Sequence, residues 1–137
     1  MKHSINIRIY YEDTDAGGIV YNANYLKFAE RGRTEFLRET GFQSSIIHSK
    51  HSTIFVVRNV EIDFIKPAIL DDLLDLRTSI EELRNTSFTM RQQVFKDGIL
   101  ITDMKVVLVC VNTNTYKAVR IPEDVKSSFQ SFVEVVE

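Results

Sequence analysis

Ile5, Ile7 and Ile9 alternate with Asn6, Arg8 and Tyr10, the period of two that a half-buried strand presents. Over residues 23–40 the period lengthens. Tyr25 or Leu26, Phe28 or Ala29, then Phe36 and Leu37 return at helical spacing, with Lys27, Glu30, Arg31, Arg33, Glu35 and Arg38 between them. Gly41 then supplies a C-terminal stop. Residues 42–52 are polar and read as irregular. Residues 53–65, 73–83, 86–95 and 99–111 are rich in β-branched and aromatic side chains and read as strands. Arg84-Asn85 and Asp97-Gly98 mark two connections, and Asp-Gly is a strong hairpin signal. Residues 122–135 open on Pro-Glu-Asp and predict a short terminal helix. One long helix with about five strands predicts an α+β fold in a single domain.

A helix of about 18 residues is about 27 Å long, and five strands at about 4.8 Å spacing make a sheet about 24 Å across. One helix therefore spans the sheet but covers a single face. Residues 106–111 are apolar at every position, which predicts a strand buried on both faces or placed at an edge. A second copy of the chain is the simplest cover, so a homodimer or a dimer of dimers is expected.

Composition narrows the partners. The 137 residues are 44% hydrophobic and 26% charged, with a formal net charge of -2, so nothing draws the chain to polyanions and nucleic acid is not expected. No basic segment precedes a short apolar run and no stretch of membrane-spanning length is present, which predicts no membrane span and a cytoplasmic protein. Cys110, the one cysteine, cannot form an internal disulfide.

Glu12 to Phe36 reads EDTDAGGIVYNANYLKFAERGRTEF, with two aspartates and two glycines just before the predicted helix. Asp13-x-Asp15-x-Gly17 resembles the opening of a calcium loop. Counting from Asp13, however, the fifth position is Gly17 and the twelfth Asn24, where such a loop needs oxygen ligands, and a strand precedes it instead of a helix. No complete glycine-rich phosphate motif is present. A carboxylate beside a helix N-terminus can serve in a third way: free backbone N–H groups polarise a carbonyl while the carboxylate attacks it or activates water. The plain alternative is a turn, with Asp13 and Asp15 as turn residues, glycines at φ > 0, and Asn22 or Asn24 as a cap. The local pattern alone favours the turn.

The run YYEDTDAGGIVYNANYLKFAERGRTEFLRETGF resembles the signature of the 4-hydroxybenzoyl-CoA thioesterase family, in particular its YbgC-type acyl-CoA thioesterases of the hotdog fold. The resemblance continues through FVVRNVEIDFIKPAILDDLLDLRTSIEELRNTSFTMRQQVF and MKVVLVCVNTNTYKAVRIP, which covers nearly the whole chain. It implies a long helix wrapped by an antiparallel sheet, paired with a second copy, with acyl-CoA sites between the two. It also implies hydrolysis of a thioester to a carboxylic acid and free CoA, with no cofactor. The family's catalytic carboxylate falls on Asp15, and Asp13 matches the supporting aspartate. Gly17 or Gly18 lets the chain turn, and Tyr21 takes the aromatic position. Asn22 stands where YbgC-type members often carry His, with the backbone N–H of this position as carbonyl donor. Gly32 stands where Ala is usual. Asn24 completes the candidate substrate-binding set, and Glu30 sits one step inside the motif.

For the CoA phosphates, Arg58, Lys66, Arg84 and Arg91 are cationic candidates, of which Lys66 and Arg84 lie on turns able to reach a long ligand. Phe28, Ile54 and Phe64 are candidate acyl-pocket residues. His48 and His51 have H-x-x-H spacing in a polar segment without Cys or clustered acids, so no metal is assigned. Cys110 reads as a core residue in an apolar strand, and no G-x-S-x-G element supports serine chemistry. Lys27, Arg31, Glu35 and Arg38 read as a solvated face with i,i+4 pairing. Two rival readings keep the fold and change the role: a non-catalytic binder of acyl-CoA or acyl carrier protein, which Asn22 supports best, and a thioesterase or dehydratase-like enzyme acting on acyl carrier protein.

Overall fold

In the computed structural model, which describes residues 2–134, the alternating segments become β1 (His3–Arg8), β2 (Thr53–Phe64), β3 (Leu73–Leu83), β4 (Ser87–Lys96) and β5 (Ile99–Asn112). They form a five-stranded antiparallel sheet in the order β1-β3-β4-β5-β2. The β4–β5 hairpin turns on Asp97 and Gly98, at φ 51° and 77°, both in the left-handed region that a two-residue turn of this type requires. Helix α1 (Asn24–Thr40) lies across the inner face of the sheet, with Tyr25, Phe28, Ala29, Gly32, Phe36 and Leu37 buried. This is a long helix wrapped by an antiparallel sheet, the hotdog arrangement. Of the paired helix expectations, Tyr25 faces inward and Leu26 outward, whereas Phe28 and Ala29 both face inward.

Gly41, at φ 84°, ends α1, with Gly41 N–H on the Arg38 carbonyl and Phe42 N–H on that of Leu37. The charged face carries an Arg38–Glu35 pair at i,i+3 instead of the expected i,i+4 spacing, and Arg31 lies over the Phe28 ring. Gly32 allows a close approach. A Cβ there would sit 2.4 Å from Leu76 Cδ2 and 2.9 Å from Gln92 Nε2, so Ala would require the ends of those two side chains to shift.

Residues 42–52 are not irregular: Ser44–His51 form helix α2. Only Ile47 of that helix is buried, so eight residues present no repeat from which a period could be read. The terminal segment is a helix α3 (Glu123–Phe129) followed by a 3-10 turn, Gln130–Phe132. Val133 bridges to Ile80, and Val135 lies outside the described residues. Helix α3 is held by aromatic packing, with Phe129 5.5 Å from Phe36 and 5.2 Å from Phe88, centroid to centroid. Burying each such ring stabilises the fold by about 1.5–3 kcal/mol.

Of the two alternatives for the apolar strand, the edge is corrected: β5 runs between β4 and β2. Thr102, Met104, Val106, Leu108 and Cys110 are buried on its inner face, while Val107, Val109 and Val111 are half-buried on the other. The two edges are the short β1 and the twelve-residue β2.

Candidate active site

The Asp-rich junction is a tight excursion between β1 and α1. Tyr11–Asp13 make one 3-10 turn, and the Asp13 carboxylate accepts the Tyr10 N–H at 2.8 Å. Thr14 then pairs with Val20. Inside that bridge Asp15 N–H reaches the Ile19 carbonyl at 2.9 Å and Gly18 N–H reaches the Asp15 carbonyl at 3.0 Å. Gly18 holds φ 81°, where a side chain would be strained. Asp15 Oδ1 accepts the Gly17 N–H at 2.8 Å. The carboxylate is thus oriented by its own loop yet stays exposed, in an open depression shared with Tyr11, Thr14, Ala16, Gly18 and Leu70.

The return of the chain is fixed from below. Tyr21 N–H and Asn24 Nδ2 both donate to the Asp13 carbonyl, at 3.1 and 2.7 Å. The N–H groups of Asn24, Tyr25 and Leu26 bond back to the carbonyls of Tyr21, Asn22 and Ala23. Among the described residues, no protein acceptor takes the N–H of Asn22 or Ala23. The helix has no side-chain cap, so neither Asn22 nor Asn24 caps it, and the positive end of a 17-residue helix lies open beside the Asp15 loop. Tyr21 and Asn22 are both exposed.

The loop is also tied to the β2–β3 connection: Val20 N–H donates to the Ala68 carbonyl at 2.9 Å and Ile19 bridges to Ile69. Lys66 belongs to that connection and is exposed, with its backbone N–H on the Ile101 carbonyl. Arg84 sits at the β3–β4 turn, paired with Glu82 at 2.7 Å. Arg91 is held by Asp103 at 2.6 Å and lies 3.7 Å from Glu81. These carboxylates raise its pKa, chiefly through the Asp103 hydrogen bond. Arg58, at the bulge of β2, is exposed. The structure therefore ties the connection that carries Lys66 to the Asp15 loop, through Ala68 and Ile69, and leaves Arg84 and Arg91 in their own ion pairs.

A separate cavity of about 410 Å³ opens between α1, α2 and the inner sides of β2, β4 and β5. Of the three expected acyl-pocket residues, Ile54 lines it. Phe28 is fully buried and Phe64 stands half-exposed against Tyr25. Glu30 and Arg33 line the cavity from α1. Arg33, one of the charged residues between the apolar positions of α1, turns inward: its Nη1 donates to Gln92 Oε1 at 3.0 Å. Burial lowers the guanidinium pKa, partly offset by the charge of Glu30. No local signal could have found this contact, because its partner is 59 positions away.

Cys110 is buried, and burial raises its thiol pKa. His51 lies within 3.2 Å of both Asp124 carboxylate oxygens and His48 is exposed. Among the described residues no group of three or more His, Cys, Asp or Glu is placed to hold a metal, and no helix is long and apolar enough to cross a membrane.

Residues 10–129 match the model of the thioesterase-like superfamily. The acyl-CoA thioesterase YbgC of Haemophilus influenzae is 38% identical over 126 residues, 92% of this chain and 93% of that protein. A probable thioesterase from Bartonella henselae superposes with a TM-score of 0.85 at 39% identity, over 89% of this chain and all of the other. A gentisyl-coenzyme A thioesterase superposes with a TM-score of 0.85 at 31% identity, over 93% of this chain and 99% of its own. Similarity of this extent shows that the chain belongs to the thioesterase-like superfamily and to the YbgC-type thioesterases within it.

Proposed function

We propose that this protein is an acyl-CoA thioester hydrolase that releases a carboxylic acid and free CoA, with Asp15 as the reacting carboxylate and the start of α1 as the oxyanion site. The observation that carries the reading is the Asp15 carboxylate, oriented by the Gly17 N–H and exposed beside an uncapped helix N-terminus in a chain of this family. Attack on the thioester carbon puts negative charge on the carbonyl oxygen. The free N–H groups of Asn22 and Ala23, at the positive end of α1, are suited to receive it. When the intermediate collapses, the C–S bond breaks and the CoA sulfur takes up a proton. Asp15 either accepts the proton of the attacking water or attacks first, giving an acyl anhydride that water opens. Both routes consume one water and give the same products.

Gly17 and Gly18 shape the loop, and Tyr21 stands at its rim as a substrate contact. Asn24 acts from behind the loop through Asp13. Lys66 offers a cation for the CoA phosphates, and Arg84 does so only if it leaves Glu82. The 137 residues form one hotdog domain that works in the cytoplasm as a homodimer or dimer of dimers. The reading of a binding module for acyl-CoA or acyl carrier protein retains one support, Asn22 in the position where His is frequent. Purified protein incubated with short, long and aromatic acyl-CoA esters is expected to release free thiol above a heat-treated control. Tight binding of these esters without release would favour the binding module.

A further inference from the structure

Resting on the thioesterase reading, we propose that the cavity between α1 and the sheet receives the acyl group and that Arg33 recognises a carboxylate at that group's far end, so that the preferred substrates are CoA esters of dicarboxylic acids. The cavity, about 410 Å³, is of the size that small-molecule sites occupy. Leu37, Phe55, Phe88, Met90 and Leu108 give it apolar walls suited to methylene groups.

Arg33 is the cation of that lining, on a polar side that also holds Glu30, Thr34 and Ser44. A guanidinium offers five N–H donors, and the protein acceptor that Arg33 meets is the neutral Gln92 Oε1. Among the described residues no carboxylate oxygen lies within the 4.0 Å of an ion pair; Arg8, Arg31, Arg58 and Arg120 share that lack but are exposed, whereas Arg38, Arg77, Arg84 and Arg91 each have a carboxylate. A half-buried cation with no carboxylate in contact has lost water and regains only the partial compensation that the charge of Glu30 supplies, and a planar carboxylate is the group that completes it in bidentate geometry. Glu30 shares the lining, but it is exposed at the rim, where water screens it.

The guanidinium is also held in place. Gln92 is fully buried, and its Nε2 donates to the Ala29 carbonyl at 2.9 Å and to Thr78 Oγ1 at 3.1 Å. That fixes the amide with Oε1 toward Arg33, and Gly32 leaves room for the amide beneath α1. Gln92 is therefore a positioning residue and Arg33 the specificity residue.

Adipoyl-CoA and hexanoyl-CoA differ only in a terminal carboxylate in place of a methyl group, and their kcat/KM values test the assignment. The wild-type protein is expected to favour adipoyl-CoA by about tenfold or more, through KM, and Arg33→Met to lower that ratio by about tenfold, with Arg33→Lys between them. Equal wild-type use of both esters, a preference for hexanoyl-CoA, or a ratio unmoved by Arg33→Met overturns it. Should Arg33→Met not fold, wild-type melting in free adipate against free hexanoate decides: a larger upward shift with adipate supports the site, and equal shifts or none refute it. If neither these two esters nor the short, long and aromatic ones are cleaved while adipate still raises the melting temperature, the hydrolase reading fails and the Arg33 site stands.

Discussion

Asp15 combines two properties that oppose each other at most positions, a fixed orientation and exposure to solvent. The Gly17 N–H supplies the first through a contact two residues away, so the turn geometry is encoded in the Asp-x-Gly spacing itself and was legible as a turn, whereas the role proposed for the carboxylate came from the family resemblance. Asp15→Asn keeps the shape and the hydrogen bond to Gly17 but removes the base or nucleophile. The fold is expected to persist while turnover falls by about 100-fold or more. Parent-like activity would remove Asp15 from the chemistry. Asn22 calls for the opposite expectation, because the group assigned to it is a backbone N–H: Asn22→Ala should stay within about tenfold of the parent, about 1.4 kcal/mol. A larger loss with unchanged melting would show that the amide side chain takes part. Arg33 and Gln92 escaped the sequence reading for a physical reason. Their bond spans 59 positions, and although Ala29 and Leu37, four residues to either side, place Arg33 toward the buried side of the helix, nothing in the helix marks Gln92 on the strand beneath it.

At the scale of elements, periodicity located α1 and β1, and β-branched and aromatic content between turn residues located the other four strands. Periodicity failed at α2, where one buried isoleucine in eight residues makes no period, and neither signal orders the strands, so the edge stayed open as a place for β5. Helices α2 and α3 are joined by Asp124, whose carboxylate takes Lys50 Nζ at 2.7 Å and lies within 3.2 Å of His51 Nε2. The hydrogen bond from Lys50 first, and that from His51 with it, hold the Asp124 pKa down from 3.8 to about 2. A depressed carboxylate pKa contributes stability that is full above the unfolded value and is lost as pH falls through the folded one. The link should therefore be intact down to about pH 4 and gone near pH 2. Chemical melts of the parent and Asp124→Asn across that range are expected to differ at the upper end and converge at the lower. A gap of constant size would show that Asp124 does not act through its charge.

For the whole molecule, the case for a second copy rests on different residues from those that first raised it. The outer face of β5 is only half-open, whereas Tyr10, Tyr11, Ile19, Tyr21, Ile65, Ile69 and Leu70 are exposed on the Asp15 loop, its approach and the connection tied to it. Single exposed apolar side chains need no explanation, but a group of them around one loop marks a surface that is covered in use. β2 adds to this, as a long edge strand with Val56 and Val57 exposed and its outer backbone groups open to pairing. The depression at Asp15 and the cavity at Arg33 share no lining residue within one chain. A single acyl group that reaches both is most simply accommodated where two copies meet, with the loop of one beside the cavity of the other. The protein should accordingly be an obligate homodimer or a dimer of dimers, with activity tied to assembly. Sedimentation across a dilution series, run beside thiol release, is expected to show specific activity falling as the dimer dissociates. A stable monomer with full activity would refute both the covered surface and the shared site.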